Sequence, residues 1–410
     1  MYRAIRWPFL ALTLSLCLPM AHAMAADAQD GAFEVAATEG GFDRWARGFR
    51  ARALKAGIRA NVFDRAFADV SYNARIIELD GKQPEFTQTI RQYLDRVVTK
   101  DRLSRGKRKA SQLNSTLAEI ERRFGVDKGV VLAIWGIETN FGGFMGGTNV
   151  IESLATLAYD GRRRAWAERE LVAALSILQR GDTTIGRMEG SWAGAMGHTQ
   201  FMPTSYLAYA ADYNGDGRRD IWARDPSDGL ASTANYLRVH GWQRGQPWGL
   251  EVALPNGFDV TKANIAPGRP VAYWNRAGVR LVGGGELPNH GPAGIWLPAG
   301  SGGPAFAVFP NFSVIKRYNR ANSYALAVGH LGDRIYGNAG IRAPWPDERR
   351  ALSRSEKREL QRLLTARGFD TQGVDGLVGK NTISAIRAFQ RSAGMTPDGH
   401  PSVELLTRLR

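Results

Sequence analysis

One acidic residue stands at the end of a strongly apolar stretch of the sequence. Residues 130–138 are Val-Val-Leu-Ala-Ile-Trp-Gly-Ile-Glu, so Glu138 follows Ile134 by one helical turn and Val131 by two. Because a carboxyl group on a buried face is poorly solvated, its pKa should rise, as a general acid near neutral pH requires. A glutamate paired with an arginine, or bound at a helix end, is the structural alternative. The pattern alone does not decide between them.

A second group of polar residues lies further along the chain, in the block Gly190–Pro203. Its glycines and alanines let backbones and a polymer approach closely, and Ser191 and Gln200 supply hydrogen-bonding groups. Met196 adds an adaptable apolar side chain. A loop that only packs would not need this combination, so we expect the block to contact a polymer.

Several familiar catalytic sites are excluded by residue spacing. The histidines show no His-Glu-x-x-His pattern, so a catalytic zinc site lacks its ligands. Residues 190–194 do not match Gly-x-Ser-x-Gly, and residues 142–147 lack the Lys-Ser/Thr of a phosphate loop. The single cysteine, Cys17, excludes an intrachain disulfide framework. We therefore expect neither a serine hydrolase nor a nucleotide enzyme.

The composition indicates a folded, basic protein of more than one domain. The chain has 410 residues, of which 44% are hydrophobic and 23% charged, and its net charge is +15. These values exclude a disordered or fibrous chain. The positive charge favours an acidic partner: nucleic acid, an anionic membrane surface or an anionic cell-wall polymer. After residue 24 no apolar run is long enough to be a transmembrane segment.

The first residues predict export. Two arginines precede an apolar run that ends at Met20, and residues 21–23 have the small-x-small pattern of a cleavage site. We therefore predict a signal peptide over residues 1–23 and a periplasmic location. Lipoprotein anchoring is disfavoured, because the bulky Leu16 stands directly before Cys17.

The elements that must position these residues are mainly helical. Residues 38–346 form the predicted catalytic region, in which apolar residues recur at helical spacing. Between about 246 and 312, short runs such as Val271–Trp274 and Phe306–Phe309 alternate with glycines and prolines, which predicts a small inserted β-sheet. Prolines then break the chain before a linker at 347–352.

The tail, residues 353–410, has its own apolar residues, and their spacing predicts three short helices. It resembles the type 1 peptidoglycan-binding domain. The resemblance is carried by Leu360-Gln361-Arg362-Leu363-Leu364, Gly373-Val374-Asp375-Gly376, Gly379-Lys380-Asn381-Thr382 and Ala385-Ile386-Arg387-Ala388-Phe389-Gln390. We assign no binding residue in this module, because most of these apolar residues are needed for its core.

The catalytic region resembles the lytic murein transglycosylases of the B family. The motifs that carry the resemblance are Gly136–Gly142, Ser191–Pro203, Ala234–Leu237 before His240-Gly241-Trp242, and Val314–Asn319 with Tyr324. The resemblance implies a lysozyme-like fold and one catalytic carboxylate, Glu138. It also implies that a groove for the glycan is shaped by Ser191, Gln200, Tyr236, Tyr318 and Tyr324.

The same resemblance implies a reaction that needs no second acid and no catalytic cofactor. Glu138 would protonate the oxygen between N-acetylmuramic acid and N-acetylglucosamine, and then accept the proton of the muramoyl C6 hydroxyl as a 1,6-anhydro ring closes. A hydrolase usually needs a second carboxylate, and none stands out in these motifs.

An acidic loop predicts a structural calcium ion. Its spacing matches the start of an EF-hand, although position 12, normally Glu, is Ala223. The resemblance implies a longer loop closed by a later acid, either Asp228 or Asp225. A turn that merely joins two helices is the alternative. The predicted ligands are Asp212, Asn214, Asp216, Asp220 and Asp228.

We therefore predict an α+β, mainly α, protein: a lysozyme-like helical body with a small inserted β-sheet, and a three-helix C-terminal module. The expected partner is the glycan strand of peptidoglycan and not nucleic acid, because the excess positive charge is spread out. Other cell-wall enzymes are candidate protein partners, but no segment identifies one. A hydrolytic muramidase on the same scaffold and a non-catalytic wall-binding protein are the alternative functions.

Overall fold

The computed structural model describes residues 39–410 except 82–87, 161 and 349; the predicted signal peptide lies outside the described residues. The helices are α1 (Glu39–Lys55), α2 (Ala60–Ala66), α3 (Ala74–Gly81), α4 (Ile90–Val97), α5 (Lys100–Gln112), α6 (Asn114–Phe124), α7 (Lys128–Thr139), α8 (Val150–Tyr159), α9 (Arg164–Arg180), α10 (Pro203–Tyr209), α11 (Ser227–Val239), α12 (Val271–Arg276), α13 (Pro310–Tyr318), α14 (Asn322–Ile335), α15 (Arg354–Ala366), α16 (Lys380–Ser392) and α17 (Val403–Leu409). The strands are β1 (Thr148–Asn149), β2 (Glu189–Gly190), β3 (Gly249–Ala253), β4 (Arg269–Pro270), β5 (Arg280–Leu281), β6 (Pro292–Trp296) and β7 (Ala305–Val308). No helix in the described part of the chain is both long and apolar enough to cross a membrane.

Helix α7, which carries Glu138, is enclosed along most of its length. Asp127 caps its first turn, because Asp127 Oδ1 accepts a hydrogen bond from the Val130 amide at 3.0 Å. Residues 129–136 are all buried. Helix α14 packs so closely against α7 that a side chain at Gly332 would come within 2.7 Å of the Gly129 carbonyl oxygen. The sequence run that predicted a buried helix is thus buried between neighbouring helices.

A tight turn ends α7 directly after the candidate acid. Asn140, Phe141 and Gly142 have positive φ angles of 52°, 60° and 76°, a conformation that residues other than glycine rarely adopt. The turn brings the buried Phe141 back over α7, where a Cβ at Gly136 would lie 2.6 Å from the phenyl ring. Because glycine at position 136 has no side chain, Phe141 can pack directly against α7.

Two apolar cores hold the helical body together. The first surrounds α7, α11 and α14 and includes Trp135. The second surrounds α1, α8 and α9 and includes Met196. Tyr236 and Tyr318 pack against both cores, so these two tyrosines lie where the two halves of the body meet.

The inserted sheet lies within the predicted region, and its order is β4-β6-β7-β3-β5, with all pairs antiparallel. The prediction that Val271–Trp274 is part of the sheet was wrong, because these residues form α12. Val271 and Trp274 are both buried, and their spacing of three residues is that of one helical face. Trp274 then donates from Nε1 to the Ala293 carbonyl of β6 at 3.0 Å, so the helix packs on the sheet.

The C-terminal module has the three predicted helices, α15, α16 and α17. Two glutamines hold its glycine turns in the same way. Gln361 donates to Asp375 Oδ1 at 3.0 Å and accepts from the Gly376 amide at 2.8 Å. Gln390 makes the equivalent bonds to the Asp398-Gly399 turn, both at 2.8 Å.

The module is docked on the inserted sheet region. Arg387 of α16 donates to the Ala263 carbonyl oxygen at 2.9 Å, and Asp398 Oδ2 accepts from the Ser301 amide at 2.9 Å. Leu352, the last residue of the predicted linker, is fully buried in the core of the module. The packed module therefore begins slightly before residue 353.

Candidate active site

The carboxyl group of Glu138 meets a tyrosine from another helix. Tyr324, in the first turn of α14, donates from its hydroxyl to Glu138 Oε1 at 2.6 Å. Burial raises the pKa of Glu138 to about 7, and the hydrogen bond from Tyr324 opposes that rise by favouring the charged form. Glu138 is half-buried, so a substrate can still reach it. The side chain combines a raised pKa with access, which a general acid needs.

Burial also raises the pKa of Tyr324 well above its ordinary value, and the negative charge of Glu138 adds to this effect. Tyr324 is 2% exposed. It therefore stays protonated and acts as a hydrogen-bond donor to the acid.

Within the block Gly190–Pro203, residues 191–202 form a loop of irregular backbone beside α7. Gln200 has a positive φ of 56°, and its side-chain amide donates to the carbonyl oxygens of Met145 and Gly197 at 2.9 and 3.0 Å. Ser191 Oγ accepts from the Ala195 amide at 3.1 Å. Both residues therefore help to shape the loop, and Gln200 also ties it to the segment after α7.

Met196 is placed differently from the sequence expectation. Its side chain is fully buried in the second core, and its backbone pairs with Phe201 through bonds of 2.8 and 3.0 Å. In this conformation Met196 supports the loop from within and has no exposed surface with which to contact a polymer.

Two further tyrosines lie beside the loop: Tyr318 bonds to its backbone, and Tyr236 packs on Phe201 with ring centroids 5.8 Å apart. Tyr318 donates from its hydroxyl to the Thr199 carbonyl at 2.6 Å, and Tyr236 donates to the Arg317 carbonyl at 2.7 Å. Their rings form an edge-to-face pair with centroids 5.1 Å apart. Tyr236 also stacks on His240, with centroids 4.1 Å apart. Burial raises the pKa of Tyr318, and the charge of Glu138 adds to that rise, so Tyr318 lies near the acid.

One residue of the site was missed because its sequence signal was used only to exclude zinc. His198, in the same loop, accepts a hydrogen bond from Trp135 Nε1 at 3.1 Å, and its carbonyl oxygen accepts from Thr139 Oγ1 at 2.6 Å. Trp135 and Thr139 lie on either side of Glu138 in α7. The signal available in the sequence was a histidine two residues before Gln200 in the same block.

The acidic loop is held by its own amides. Asp212 accepts from the amides of Gly215 and Gly217 at 2.7 and 2.9 Å. Asn214 accepts from the Asp216 amide at 3.0 Å and donates to Asp216 Oδ2 at 3.2 Å. These bonds give the backbone the tight turns that the spacing predicted.

In the structure, the side chains of the acidic loop do not come together as a metal site. Asp220 was predicted as a ligand, but it forms an ion pair with Arg187 at 2.9 Å and accepts from the Trp222 amide. Asp228 is buried and accepts from the amides of Tyr213 and Asp220 at 2.9 and 2.8 Å. Over the described residues, no three acidic, histidine or cysteine side chains form a group that could hold a metal ion.

The matches to known families cover both parts of the chain. Residues 41–333 match the family described as the transglycosylase SLT domain, which is most of the chain. The chain belongs to the SLT transglycosylase family. Residues 353–409 match the peptidoglycan binding domain family, so the resemblances of both the body and the tail are confirmed.

Relatives and solved structures extend this comparison. The membrane-bound lytic murein transglycosylase B of Escherichia coli (strain K12) is 35% identical over 250 residues, which are 59% of this chain and 66% of that protein. The match thus spans just under two thirds of the relative's length. The structure of SltB3 from Pseudomonas aeruginosa in complex with NAG-anhNAM-pentapeptide is 50% identical, with a TM-score of 0.87, over 90% of this chain and 99% of that one.

A second solved relative is more distant. The Escherichia coli lytic transglycosylase Slt35 in complex with calcium is 30% identical, with a TM-score of 0.60, over 71% of this chain and 92% of that one. The SltB3 structure confirms the predicted fold class, a mainly helical, lysozyme-like body with a small sheet and a helical C-terminal module.

Proposed function

We propose that the protein is an exported lytic transglycosylase that cleaves the β-1,4 bond between N-acetylmuramic acid and N-acetylglucosamine in peptidoglycan. The observation that carries the proposal is the half-buried carboxyl of Glu138, with its pKa raised to about 7 and its Oε1 bonded to Tyr324. Membership of the transglycosylase family supports it. The SltB3 relative, solved in complex with NAG-anhNAM-pentapeptide, supports an anhydro product.

The chemistry begins with a protonated carboxyl. Glu138 gives its proton to the glycosidic oxygen as the bond from that oxygen to C1 of the muramoyl residue breaks. The muramoyl N-acetyl group stabilises the positive charge at C1. Glu138, now a carboxylate, takes the proton of the C6 hydroxyl while that oxygen bonds to C1, which closes the 1,6-anhydro ring. The enzyme returns to its starting protonation state without consuming water.

The environment of Glu138 supports a single-acid mechanism. Within the described part of the chain, its pKa shift has two causes, burial and the bond from Tyr324, and no second carboxylate contributes. A retaining hydrolase would place its second carboxyl group ~5 to 5.5 Å from the acid, and an inverting one ~6.5 to 9.5 Å away. The intramolecular hydroxyl of the substrate replaces the attacking group that such a second residue would supply or activate.

The loop and the tyrosines around Glu138 suit a glycan groove. Gln200 and Ser191 keep the loop backbone in its irregular shape. Tyr318 bonds the loop to α13, and Tyr236 bonds α11 to α13 beside it. The half-buried tyrosine rings offer apolar faces to sugar rings. We assign Ser191, Gln200, Tyr236, Tyr318 and Tyr324 to the groove.

Replacing the acid tests the proposal. Glu138→Gln keeps the side-chain shape and removes the transferable proton, so turnover of peptidoglycan should fall at least ~10²-fold while the circular dichroism spectrum stays unchanged. Glu170→Gln is the matched control, because Glu170 is also a buried carboxyl with a pKa raised by burial, but it bonds to Thr204. Equal activity of the Glu138 variant and the control would contradict the proposal.

Two alternatives are separated by the products. A hydrolytic muramidase on the same scaffold would release reducing-end muramic acid, and a non-catalytic wall-binding protein would release nothing. The raised pKa of Glu138 supports an enzyme over a binding protein.

We further propose that the protein acts in the periplasm and is held to the wall by its C-terminal module. The leader pattern in residues 1–23 supports export. The match of residues 353–409 to the peptidoglycan binding domain supports a second contact with the wall.

A structural calcium ion in the acidic loop is also proposed. The donor chemistry fits. Burial raises the pKa of Asp228, and the negative charges of Asp212 and Asp216 add to this rise, so a divalent cation would relieve the repulsion among the three carboxylates. A carboxylate that accepts amide bonds still has free lone pairs for a metal. Asp212, Asn214, Asp216 and Asp228 would hold the ion after a local shift of their side chains, while Asp220 stays with Arg187. The calcium complex of Slt35 supports this proposal.

A further inference from the structure

His198 bonds to helix α7 on both sides of the candidate acid. Its Nδ1 accepts from Trp135 Nε1 at 3.1 Å, and its carbonyl oxygen accepts from Thr139 Oγ1 at 2.6 Å. Trp135 precedes Glu138 by three residues and Thr139 follows it directly. One residue, His198, therefore fixes the last turn of α7 to the loop of the Gly190–Pro203 block.

The ring of His198 is itself fixed by a bond on its opposite side. Its Nε2 lies 2.7 Å from the Ala223 carbonyl oxygen, which can only accept, so Nε2 carries the proton. Nδ1 is then the acceptor, as the bond from the Trp135 indole requires. Burial lowers the pKa of His198 and so favours this neutral form.

The ring also has no room to move. It is 5% exposed and stands edge-on to the Trp135 indole, with centroids 5.5 Å apart. A Cβ at Gly142 would lie 2.6 Å from the ring, and a Cβ at Gly229 would lie 3.1 Å from His198 Cβ. Two glycines from different elements thus enclose the histidine, and side chains at these positions would displace it.

We propose that His198 is a positioning residue that sets the orientation of Glu138 toward the glycosidic oxygen. This inference rests on the proposed function. The bonds to the Trp135 and Thr139 side chains hold the last turn of α7 on either side of the acid, and Tyr324 bonds to the carboxyl itself. Small displacements of a catalytic group lower the catalytic rate strongly. Loss of the His198 bonds should therefore reduce turnover more than it weakens substrate binding.

His198 also connects the last turn of α7 to the acidic loop. The His198 amide donates to the Ile221 carbonyl at 3.0 Å, in addition to the ring bond to Ala223. Both partners lie between Asp216 and Asp228 in the chain. A change in that loop would therefore reach Glu138 through His198.

The first test compares two substitutions of His198. His198→Leu removes both ring bonds, and we expect kcat on peptidoglycan to fall about 10- to 100-fold while KM changes less than about 3-fold. His198→Gln can still accept from Trp135 and donate to Ala223, so its kcat should lie within about 3-fold of the wild-type value. A wild-type kcat for His198→Leu, or equal losses for both variants, would overturn the proposal.

A double-mutant cycle tests whether the two ring partners act together. Trp135→Phe removes the indole donor and keeps an aromatic ring, so it should lower kcat in the same direction. Combined with His198→Leu, it should add little further loss, because the shared bond is already gone. Fully additive losses of kcat would overturn the proposal. If His198→Leu does not fold, the kcat of Trp135→Phe alone tests the proposal.

The titration of Glu138, followed by nuclear magnetic resonance of its carboxyl carbon, gives a readout that does not need activity. We expect its midpoint to move in His198→Leu and to stay at the wild-type value in His198→Gln. An unmoved midpoint in His198→Leu would overturn the proposal. If the wild-type enzyme formed no anhydro product, the proposed function would fail, but this titration would still test whether His198 positions the acid.

Discussion

The hydroxyl of Tyr324 lies 2.6 Å from Oε1 of Glu138, although the two residues are 186 positions apart in the chain. This bond stabilises the carboxylate, whereas burial of the same group stabilises the neutral acid. The balance leaves the pKa of Glu138 at about 7, where the residue can first give and then accept a proton.

Removing the tyrosine hydroxyl should move this balance toward the acid form. In Tyr324→Phe the carboxylate loses a donor, so the pKa of Glu138 should rise and the alkaline limb of the kcat/KM profile should shift to higher pH. We expect the maximal rate to fall about 3- to 30-fold. A limb that moves to lower pH would contradict this assignment, and Tyr336→Phe is the control, because Tyr336 is exposed and follows the last residue of the same helix.

The acid should also make stability depend on pH. The pKa of Glu138 is raised in the folded state from 4.5 to about 7, so its contribution to stability is full below pH 4.5 and is lost as the pH rises through about 7. The total loss is at most about 3 kcal/mol, and less because the group is half-buried. Glu138→Gln lacks this penalty, so its free energy of unfolding relative to wild type should increase between pH 5 and pH 8. A constant difference across that range would show that burial does not raise the pKa of Glu138.

The sequence predicted most of the helical framework because apolar spacing is a local signal. The run ending at Glu138 predicted both a buried helix and a raised pKa, and the structure has both. The same signal failed at Val271–Trp274, where four apolar residues fit a strand as well as a helical turn. Only the packing of Trp274 on β6 distinguishes the two.

Contacts between distant segments could not be predicted from residue spacing. The bond between Trp135 and His198 joins residues 63 positions apart, and the ion pair of Arg187 with Asp220 takes a predicted calcium ligand away from its loop. Met196 was expected at the groove, but it is buried in the second core. In each case the type of residue was informative, while its partner depended on the fold.

Calcium should stabilise the protein if the acidic loop binds it. Binding to the folded state raises the melting temperature by mass action, so millimolar calcium should give a higher value than chelator. Asp216→Ala should abolish the rise, and Asp43→Ala, a change at an exposed position on α1, should keep it. Identical wild-type melting curves with calcium and with chelator would refute the site.

The C-terminal module should contribute to wall binding and not to the chemical step. A chain that ends at Asp347 keeps every residue assigned to the groove, so it should cleave soluble glycan fragments at a rate near that of the full chain. It should sediment less with insoluble peptidoglycan and digest intact wall more slowly, because tethering raises the local substrate concentration.

Contacts between the module and the inserted sheet region should also stabilise the full chain. The shortened chain leaves Ser301 and the Ala263 carbonyl without Asp398 and Arg387, so its melting temperature should fall modestly. Arg387→Ala in the full chain should loosen the docking while wall binding is kept. A shortened chain that is folded by circular dichroism yet inactive on fragments would mean that the module contributes to the active site.

Mass analysis of the products from purified peptidoglycan tests the central claim most directly. Cleavage with ring closure consumes no water, so the account predicts muropeptides that end in 1,6-anhydro-N-acetylmuramic acid and are lighter by one water than hydrolytic products. These should be absent after treatment with Glu138→Gln. Reducing-end muramic acid as the main product of the wild-type enzyme would contradict the account and identify a muramidase.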